Sequence, residues 1–256
     1  MRSVFLVWLL NSCIGQPTTD MHSDEMQQDS SRYYTRMVGD REVKVSTYSK
    51  PGKLIFVNLH DNENTSVDAA MIVIDSLGGT LIQLQHSGER NLEFKLNSGN
   101  YVADPNRIFT DIGAKATLSA LGPYSDMALK EVRSFAVGLV DSLSNVDVIY
   151  TLHNNGEVGY SAKSYLNEYK TDASDVYLNP DRDEDDFYFV TERKFFDQLK
   201  AKGYNVVLQN NKTVTDDGSL SVLAGQRGIP YINIEAQHGH LKEQVEMLLV
   251  LYSLFE

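Results

Sequence analysis

A histidine and a glutamate stand three positions apart directly after a short apolar run of the chain. The run covers residues 54–59, and it is followed by His60 and Glu63. This spacing lets an imidazole and a carboxylate approach one metal ion from the end of a strand. A catalytic zinc ion typically takes three protein ligands from His, Glu, Asp or Cys and leaves a fourth position for water. The pair therefore indicates part of a metal site.

A second histidine follows an apolar run in the same way. His153 comes directly after residues 148–152. One His-x-x-Glu pair recurs often by chance, and a single histidine at a strand end is more often a polar cap, so the second histidine strengthens the hypothesis. We predict that His153 completes the set of metal ligands that His60 and Glu63 begin.

Seven polar residues occur in an order that is typical of one enzyme family. They are His60, Glu63, Asp104, Asn106, Arg107, His153 and Glu235. In this order they resemble the motifs of the zinc carboxypeptidase family, which includes the succinylglutamate desuccinylase and aspartoacylase branch. The resemblance extends over residues 53–244.

The resemblance implies a Zn²⁺ cofactor and the residues that surround it. His60, Glu63 and His153 would hold the zinc ion. Asp104 would hydrogen-bond the ring of His60 and fix its tautomer, as carboxylates commonly do for metal-bound histidines.

The resemblance also implies a substrate that carries a free carboxylate. Asn106 and Arg107 would bind this group, because a planar guanidinium makes paired, charge-assisted hydrogen bonds to a carboxylate. Carboxypeptidases use a further arginine, upstream, to stabilise the oxyanion, and Arg90 is the candidate for that catalytic role. The alternative interpretation of Arg90 is a surface arginine at the start of a strand at 92–96.

Glu235 follows the apolar run 231–234, where a glutamate without a role would be costly to bury. The resemblance makes Glu235 the general base. Zinc lowers the pKa of its bound water toward neutrality, and a nearby carboxylate can take the proton as the water attacks a carbonyl. The same carboxyl can then protonate the leaving amine.

The pattern departs from the best-known carboxypeptidases after Glu235. His238 and His240 could act in the pocket as an acid, a substrate ligand or an extra metal ligand, or they could be helix-start histidines bonded to backbone. The acidic run 181–186 could select cationic substrates or bind calcium, but it lacks the glycine of an EF-hand loop, so a solvated loop is favoured. No motif chooses a specificity residue among Tyr160, Tyr165, Tyr169, Tyr177 and Tyr188.

Apolar runs and amphipathic patterns alternate along the chain and predict the elements that position these residues. Continuous apolar runs predict strands at 53–60, 80–85, 146–153, 205–209 and 231–235. Apolar residues at three- and four-residue spacing predict helices at 67–77, 127–143, 192–202 and 241–255. This alternation, with the resemblance, predicts a single α/β domain: a mixed, mostly parallel, twisted sheet that is flanked by helices and resembles the zinc carboxypeptidase fold. Such sheets place ligands at the carboxyl ends of their strands.

Composition bounds the function classes. With 256 residues and 42% apolar side chains, the chain can bury one sizeable core and is too short for two generous domains, so we expect one catalytic domain. The net charge of −12 disfavours nucleic acid as a partner, because phosphate binding requires clustered Lys and Arg.

The first residues have the layout of a secretory signal. Arg2 precedes an apolar run at 3–10, which is too short to span a bilayer. The run leads to Cys13, the only cysteine of the chain, in a setting that resembles a bacterial lipobox. We predict a signal peptide at 1–13, a flexible polar tether at 14–38 and a catalytic domain at 39–256.

An exported protein follows from this interpretation of the first residues. It would be a bacterial envelope lipoprotein or a periplasmic or secreted protein, with membrane contact only through a lipid anchor on Cys13. The alternative is a cysteine that is buried or removed.

Three functions remain open at this stage. The first is a metallocarboxypeptidase that acts on a peptide or a peptidoglycan stem peptide. The second is a deacylase of small N-acyl amino acids, as in the desuccinylase and aspartoacylase branch, which has the same metal ligands. The third is a non-catalytic binding lipoprotein. Export favours the first, because the deacylases of that branch usually work inside the cell.

Overall fold

The computed structural model describes residues 30–254, which form a nine-stranded sheet, a separate hairpin and six α-helices. The strands are β1 (Ser30–Val38), β2 (Arg41–Lys50), β3 (Ile55–Asn58), β4 (Gly79–Gln85), β5 (Leu92–Leu96), β6 (Gly99–Ala103), β7 (Ile149–Asn155), β8 (Ala173–Tyr177), β9 (Phe187–Val190), β10 (Asn205–Gln209) and β11 (Tyr231–Gln237). The helices are α1 (Asn64–Leu77), α2 (Asp111–Leu121), α3 (Asp126–Ser142), α4 (Arg193–Ala201), α5 (Leu220–Arg227) and α6 (Leu241–Tyr252).

The central strands of the large sheet are parallel. In the order β1-β2-β4-β3-β7-β11-β9-β10-β8, β3 pairs in parallel with β4 and β7, and β7 pairs in parallel with β11. Within the described residues, six of the nine strands run in one direction, and β2, β9 and β10 are reversed. The prediction of an α/β fold with a mixed, mostly parallel sheet flanked by helices is therefore confirmed.

The sheet separates two hydrophobic cores, because successive side chains of a strand point to opposite faces. On β3, Phe56 packs into the core that α1, α4 and α6 cover, whereas Val57 packs into the core that α2, α3, α5 and the β5–β6 hairpin cover. Both residues are almost fully buried. Coverage of both faces explains the continuous apolar runs of the central strands.

Side-chain caps define where three of the helices begin. Thr110, Ser125 and Ser219 each accept a hydrogen bond from the backbone N–H three residues further on, at the starts of α2, α3 and α5. Such caps satisfy N–H groups that have no partner within the helix. Ser219 and the first turn of α5 also line the cavity described below.

All of the predicted strands and helices are present. β3, β4, β7, β10 and β11 confirm the five predicted strands, and α1, α3, α4 and α6 confirm the four predicted helices. The strand at 92–96, named as the setting of Arg90, is present as β5. The remaining elements, which the periodicity did not predict, are β1, β2, β6, β8, β9, α2 and α5.

The predicted tether at 14–38 is wrong over its last nine residues, because Ser30–Val38 forms β1 and pairs with β2 along its whole length. The side chains at 31–37 are exposed, and only Val38 is buried. An edge strand of this kind has no buried face, so its sequence shows no apolar alternation. Residues 1–29, which include the predicted signal peptide and Cys13, lie outside the described residues. Among the described helices, none has the length and apolar character needed to cross a membrane.

Candidate metal centre and active-site cavity

The ends of three parallel strands bring the predicted residues to one edge of the sheet. His60 follows the end of β3 by two residues, and His153 and Glu235 are aligned with each other across β7 and β11. Because these strands are neighbours and parallel, side chains from far apart in the sequence meet here. The arrangement agrees with the expectation that ligands bind at the carboxyl ends of parallel strands.

His60, Glu63 and His153 face one another and are buried. Nδ1 of His60 lies 3.1 Å from Nδ1 of His153. The Glu63 carboxylate lies between the two rings, with Oε1 at 2.8 Å from Nδ1 of His60 and Oε2 at 2.9 Å from Nδ1 of His153. Two ligand atoms of one zinc ion, each about 2.0–2.2 Å from it, cannot be more than about 4.4 Å apart. All three pairs satisfy this limit, so the donor set fits a metal ion.

Local hydrogen bonds hold Glu63 at the start of α1. Its backbone N–H donates to the carbonyl of His60 over 3.2 Å, which closes a tight turn. Its carbonyl accepts the hydroxyl of Ser66 over 2.8 Å, and that hydroxyl in turn accepts the amide of Asn58 over 2.9 Å. The His-x-x-Glu spacing therefore places both side chains on the same side of this turn.

Asp104 fixes the orientation of the His60 ring. Its Oδ1 lies 2.8 Å from Nε2 of His60, so this nitrogen carries a proton and Nδ1 is directed toward Glu63. Burial lowers the pKa of His60, but the carboxylates of Glu63 and Asp104 outweigh it and raise the pKa to about 9. The same contacts hold the pKa of the Glu63 and Asp104 carboxyls below the usual range, against the opposing effect of burial. A site built to favour positive charge suits a cation.

Arg90 contacts the acidic members of the centre directly. Its Nη1 donates to Oε1 of Glu63 over 2.7 Å, and its Nη2 lies 3.6 Å from Oδ2 of Asp104. The Arg90 side chain is 44% exposed, whereas that of Glu63 is 2% exposed. The arginine therefore reaches from the surface into the centre, which a plain surface arginine would not do.

Asn106 and Arg107 lie on a short 3-10 turn, Pro105–Arg107, that Asp104 caps. Nδ2 of Asn106 lies 3.3 Å from Nε2 of His153, and its Oδ1 accepts the backbone N–H of Leu220 over 3.1 Å. Nη1 of Arg107 donates to the carbonyl of Asn106 over 2.8 Å. The amide of Asn106 is therefore already engaged at both ends.

Glu235 is buried beside the centre and lines the same cavity as Glu63 and His153. Its Oε1 accepts the amide of Asn233 over 3.0 Å. Burial raises the pKa of the Glu235 carboxyl above its usual range, although His153 opposes this effect. A raised pKa lets a carboxyl exchange a proton more readily near neutral pH.

A cavity of about 770 Å³ opens in front of these residues. Tyr160, Tyr165 and Tyr169 line it, and the hydroxyls of Tyr160 and Tyr165 lie 2.6 Å apart. Tyr177 and Tyr188 pack into the opposite core instead. The structure thus reduces the five candidate tyrosines to three.

Two amides that sequence reasoning missed also line the cavity. Gln209 donates through Nε2 to Asn211 and to the carbonyl of Ser221, and Asn155 donates through Nδ2 to the carbonyl of Asp185. Among the described residues, the buried Oε1 of Gln209 and Oδ1 of Asn155 have no hydrogen-bond partner. Both residues end apolar strands, which is the only sequence signal that could have indicated them.

His238 and His240 lie outside the ligand group and the cavity lining. His238 contacts the carbonyl of Asn62 at 3.1 Å, and His240 precedes α6 and contacts Asp186 at 3.0 Å. Asp186 also accepts the backbone N–H of Gln237. These contacts favour the interpretation that the two histidines are helix-start residues without a role in the cavity. Asp186, which belongs to the acidic run 181–186, holds the segment 237–240 through its contacts with Gln237 and His240.

The backbone fold of the chain is similar to those of several solved structures. It matches a metallo-carboxypeptidase from Burkholderia cenocepacia at 11% identity and a TM-score of 0.47, over 91% of this chain and 66% of the other. It matches a murein-tripeptide amidase from Escherichia coli O157 at 13% identity and a TM-score of 0.47, over 85% of this chain and 88% of the other. It matches a succinylglutamate desuccinylase/aspartoacylase from Rhodobacter sphaeroides at 12% identity and a TM-score of 0.43, over 89% of this chain and 65% of the other.

The sequence matches no protein-family model, and no curated protein matches it. These structural similarities have low TM-scores and low sequence identities. The function is therefore argued below from the side chains of this chain.

Proposed function

We propose that the protein is a zinc-dependent carboxypeptidase-like hydrolase, which cleaves an amide bond next to a free carboxylate in a peptide or a peptidoglycan stem peptide. The observation that carries the proposal is the close approach of His60, Glu63 and His153, whose candidate ligand atoms all lie within 4.8 Å of one another. Glu235 and Arg107 line the cavity that opens there. A metal-ligand set, a buried carboxyl and a cation are the parts that metal-assisted amide hydrolysis needs.

The reaction assigns a proton-transfer role to Glu235. Zinc held by the three ligands would supply Lewis acidity, which makes a water molecule acidic enough to be deprotonated at neutral pH. Glu235 would accept the proton of the attacking water and pass it to the amine nitrogen of the leaving group. Its buried position excludes competing solvent, and its raised pKa suits a group that must both take and return a proton.

The two arginines would each bind a different negative charge of the substrate. Arg107 would bind the terminal carboxylate of the substrate, with Asn106 beside it, because Arg107 lines the cavity and pairs with Asp217, which is not a metal ligand. Arg90 would face the negative charge that develops on the carbonyl oxygen, because its guanidinium is already in contact with Glu63. Fixed cationic donors aimed at developing charge are a large source of rate enhancement.

An N-acyl amino acid deacylase is the second candidate, since its chemistry requires the same ligands and base. The compact interval between Glu63 and His153 favours it, whereas the exported location that we infer from the first residues favours peptide cleavage. The third candidate, a non-catalytic binding lipoprotein, would keep the cavity without turnover. All residues that hydrolysis requires are present, which argues against it.

The test is amine release from peptides, muropeptides and N-acyl amino acids by the purified full chain after zinc is supplied. Release from peptides or muropeptides supports the proposal. Release from N-acyl amino acids alone would promote the deacylase. Absence of release from every substrate, by protein that has bound zinc, would leave only the binding function.

A further inference from the structure

Asp61, which lies between two of the metal ligands in the sequence, makes contacts that the proposed reaction does not use. Its Oδ2 accepts hydrogen bonds from three successive backbone N–H groups: His86 at 2.6 Å, Ser87 at 2.9 Å and Gly88 at 2.6 Å. These residues begin the loop 86–91, which connects β4 to β5. A carboxylate oxygen that takes three backbone donors forms strong, charge-assisted hydrogen bonds.

The same loop carries Arg90. Two residues after the last of these N–H groups, the Arg90 guanidinium returns to the 60–63 segment and donates to Glu63 over 2.7 Å. The loop is thus joined to one four-residue segment at both ends, by Asp61 at its beginning and through Arg90 at its end. Gly88 adopts a φ of +78°, a conformation that side-chain-bearing residues rarely take, and this lets the three N–H groups turn toward one oxygen.

The loop has few other means of fixing its shape. It contains no helix or strand, and its residues 87–90 are exposed. A long arginine side chain on a mobile backbone would lose much of its conformational freedom each time it met the charge that forms in the reaction. A backbone that is already fixed avoids this cost, because the guanidinium is then in place before the reaction begins.

We propose that Asp61 is a positioning residue, which fixes the loop 86–91 so that Arg90 is held against the metal centre and ready to stabilise the developing oxyanion. This inference rests on the proposed hydrolase function. Asp61 itself is not a metal ligand: the ligand group consists of His60, Glu63 and His153, and Oδ2 of Asp61 is occupied by backbone donors.

A double-mutant cycle on the zinc-loaded full chain tests whether Asp61 acts through Arg90. We expect Asp61→Ala to lower kcat about tenfold, a part of the roughly 10²–10³-fold effect of losing an oxyanion donor, with KM and zinc content unchanged. Asp61→Asn, which keeps an acceptor oxygen, should recover most of the activity. Asp61→Ala should cost nothing further in an Arg90→Ala background, because residues that act through one contact are not additive.

Hydrogen exchange provides a readout that does not depend on activity. In Asp61→Ala, the amides of His86, Ser87 and Gly88 should exchange at least about tenfold faster, because local opening exposes N–H groups that have lost their acceptor. Asp68→Ala is the matched control, since Asp68 is an exposed acidic residue of α1, seven positions away. It should change neither exchange at 86–88 nor kcat.

Three results would overturn the inference, and they are distinguishable from one another. Unchanged exchange at 86–88 in Asp61→Ala would show that the carboxylate does not hold the loop. Additive losses in the double variant would show that Asp61 acts independently of Arg90. A wild-type chain that binds zinc but releases no amine from any substrate would remove the proposed function and the positioning role with it, whatever the exchange result.

Discussion

The two arginines beside the metal centre are held in different ways. Arg107 lies on a 3-10 turn, donates to the carbonyl of its neighbour Asn106 and lies 3.3 Å from Asp217. Arg90 lies on a loop without regular structure and contacts the carboxylate of Glu63. The first arginine is fixed by its own turn and by Asp217, an acidic residue that is not a metal ligand. The second is fixed by the metal centre itself.

In the proposed reaction, this difference would separate substrate binding from catalysis. A guanidinium that is held apart from the metal ligands can keep a substrate carboxylate at a constant position through the reaction, which affects ground state and transition state alike. A guanidinium in contact with a metal ligand is close to the reacting carbonyl, where charge changes during the reaction. Arg107 should therefore govern KM, and Arg90 should govern kcat. The predictions below, from the largest effect to the smallest, test this division.

Glu235→Gln should produce the largest loss, because without the base neither arginine has a developing charge to act on. We expect kcat to fall about 10³-fold or more, which is within the range for loss of a general base. Zinc content should be unchanged, since Glu235 is not in the ligand group. Steady-state kinetics and elemental analysis of one preparation measure both. A variant that retains full activity would remove Glu235 from the mechanism.

Arg90→Ala should lower kcat about 10²-fold with little change in KM, because it removes a donor that acts mainly in the transition state. Arg90→Lys keeps the charge but not the planar fork and should recover part of the loss. A rise in KM with an unchanged kcat would contradict the assignment of Arg90 to the transition state.

Arg107→Ala should raise KM about tenfold or more for substrates with a free carboxylate, the usual cost of losing a hydrogen bond to a charged group. The same substrate with an amidated terminus lacks that charge and should be affected much less by the substitution. Kinetics on the matched pair of substrates measure the difference. An equal rise in KM for both substrates would show that a residue other than Arg107 binds the substrate carboxylate.

The smallest predicted effect is the release of a proton when zinc binds. In the metal-free protein the pKa of His60 is raised from its usual 6.5 to about 9, so His60 is protonated at pH 7.5. Its Nδ1 must lose that proton to bind a metal, and zinc binding should therefore release about one proton at pH 7.5 and progressively fewer as the pH rises through 9. Calorimetry in buffers with different ionisation enthalpies measures the release. A release that does not depend on pH would contradict the raised pKa.

The sequence predicted that His60, Glu63 and His153 would lie together, and it did so for a physical reason. His60 and His153 each follow a continuous apolar run, and the ends of parallel strands meet at one edge, so two local patterns were enough to predict a long-range contact. Glu235 follows the same rule on β11. The resemblance to the carboxypeptidase motifs supplied the roles, which no spacing could give.

The features that the sequence did not predict depend on contacts that leave no local pattern in the sequence. The edge strand β1 was missed because its side chains at 31–37 are exposed and show no apolar period. Asp61 gave no signal, because its contacts are with backbone groups of the loop after β4. Gln209 gave no signal beyond its place at a strand end, because it contacts the first turn of α5. Arg90 was undecided between two interpretations until its contact with Glu63 was known.

The central claim is that one metal ion is held by His60, Glu63 and His153, and zinc stoichiometry tests it most directly. The measurement is elemental analysis of the purified full chain beside His153→Ala, with His238→Ala as the matched control histidine outside the ligand group. We predict about one zinc per chain in the wild type and the control, and a nearly complete loss in His153→Ala, because a site of three ligands cannot spare one. Equal zinc content in all three proteins, or none in the wild type after zinc is supplied, would contradict the claim.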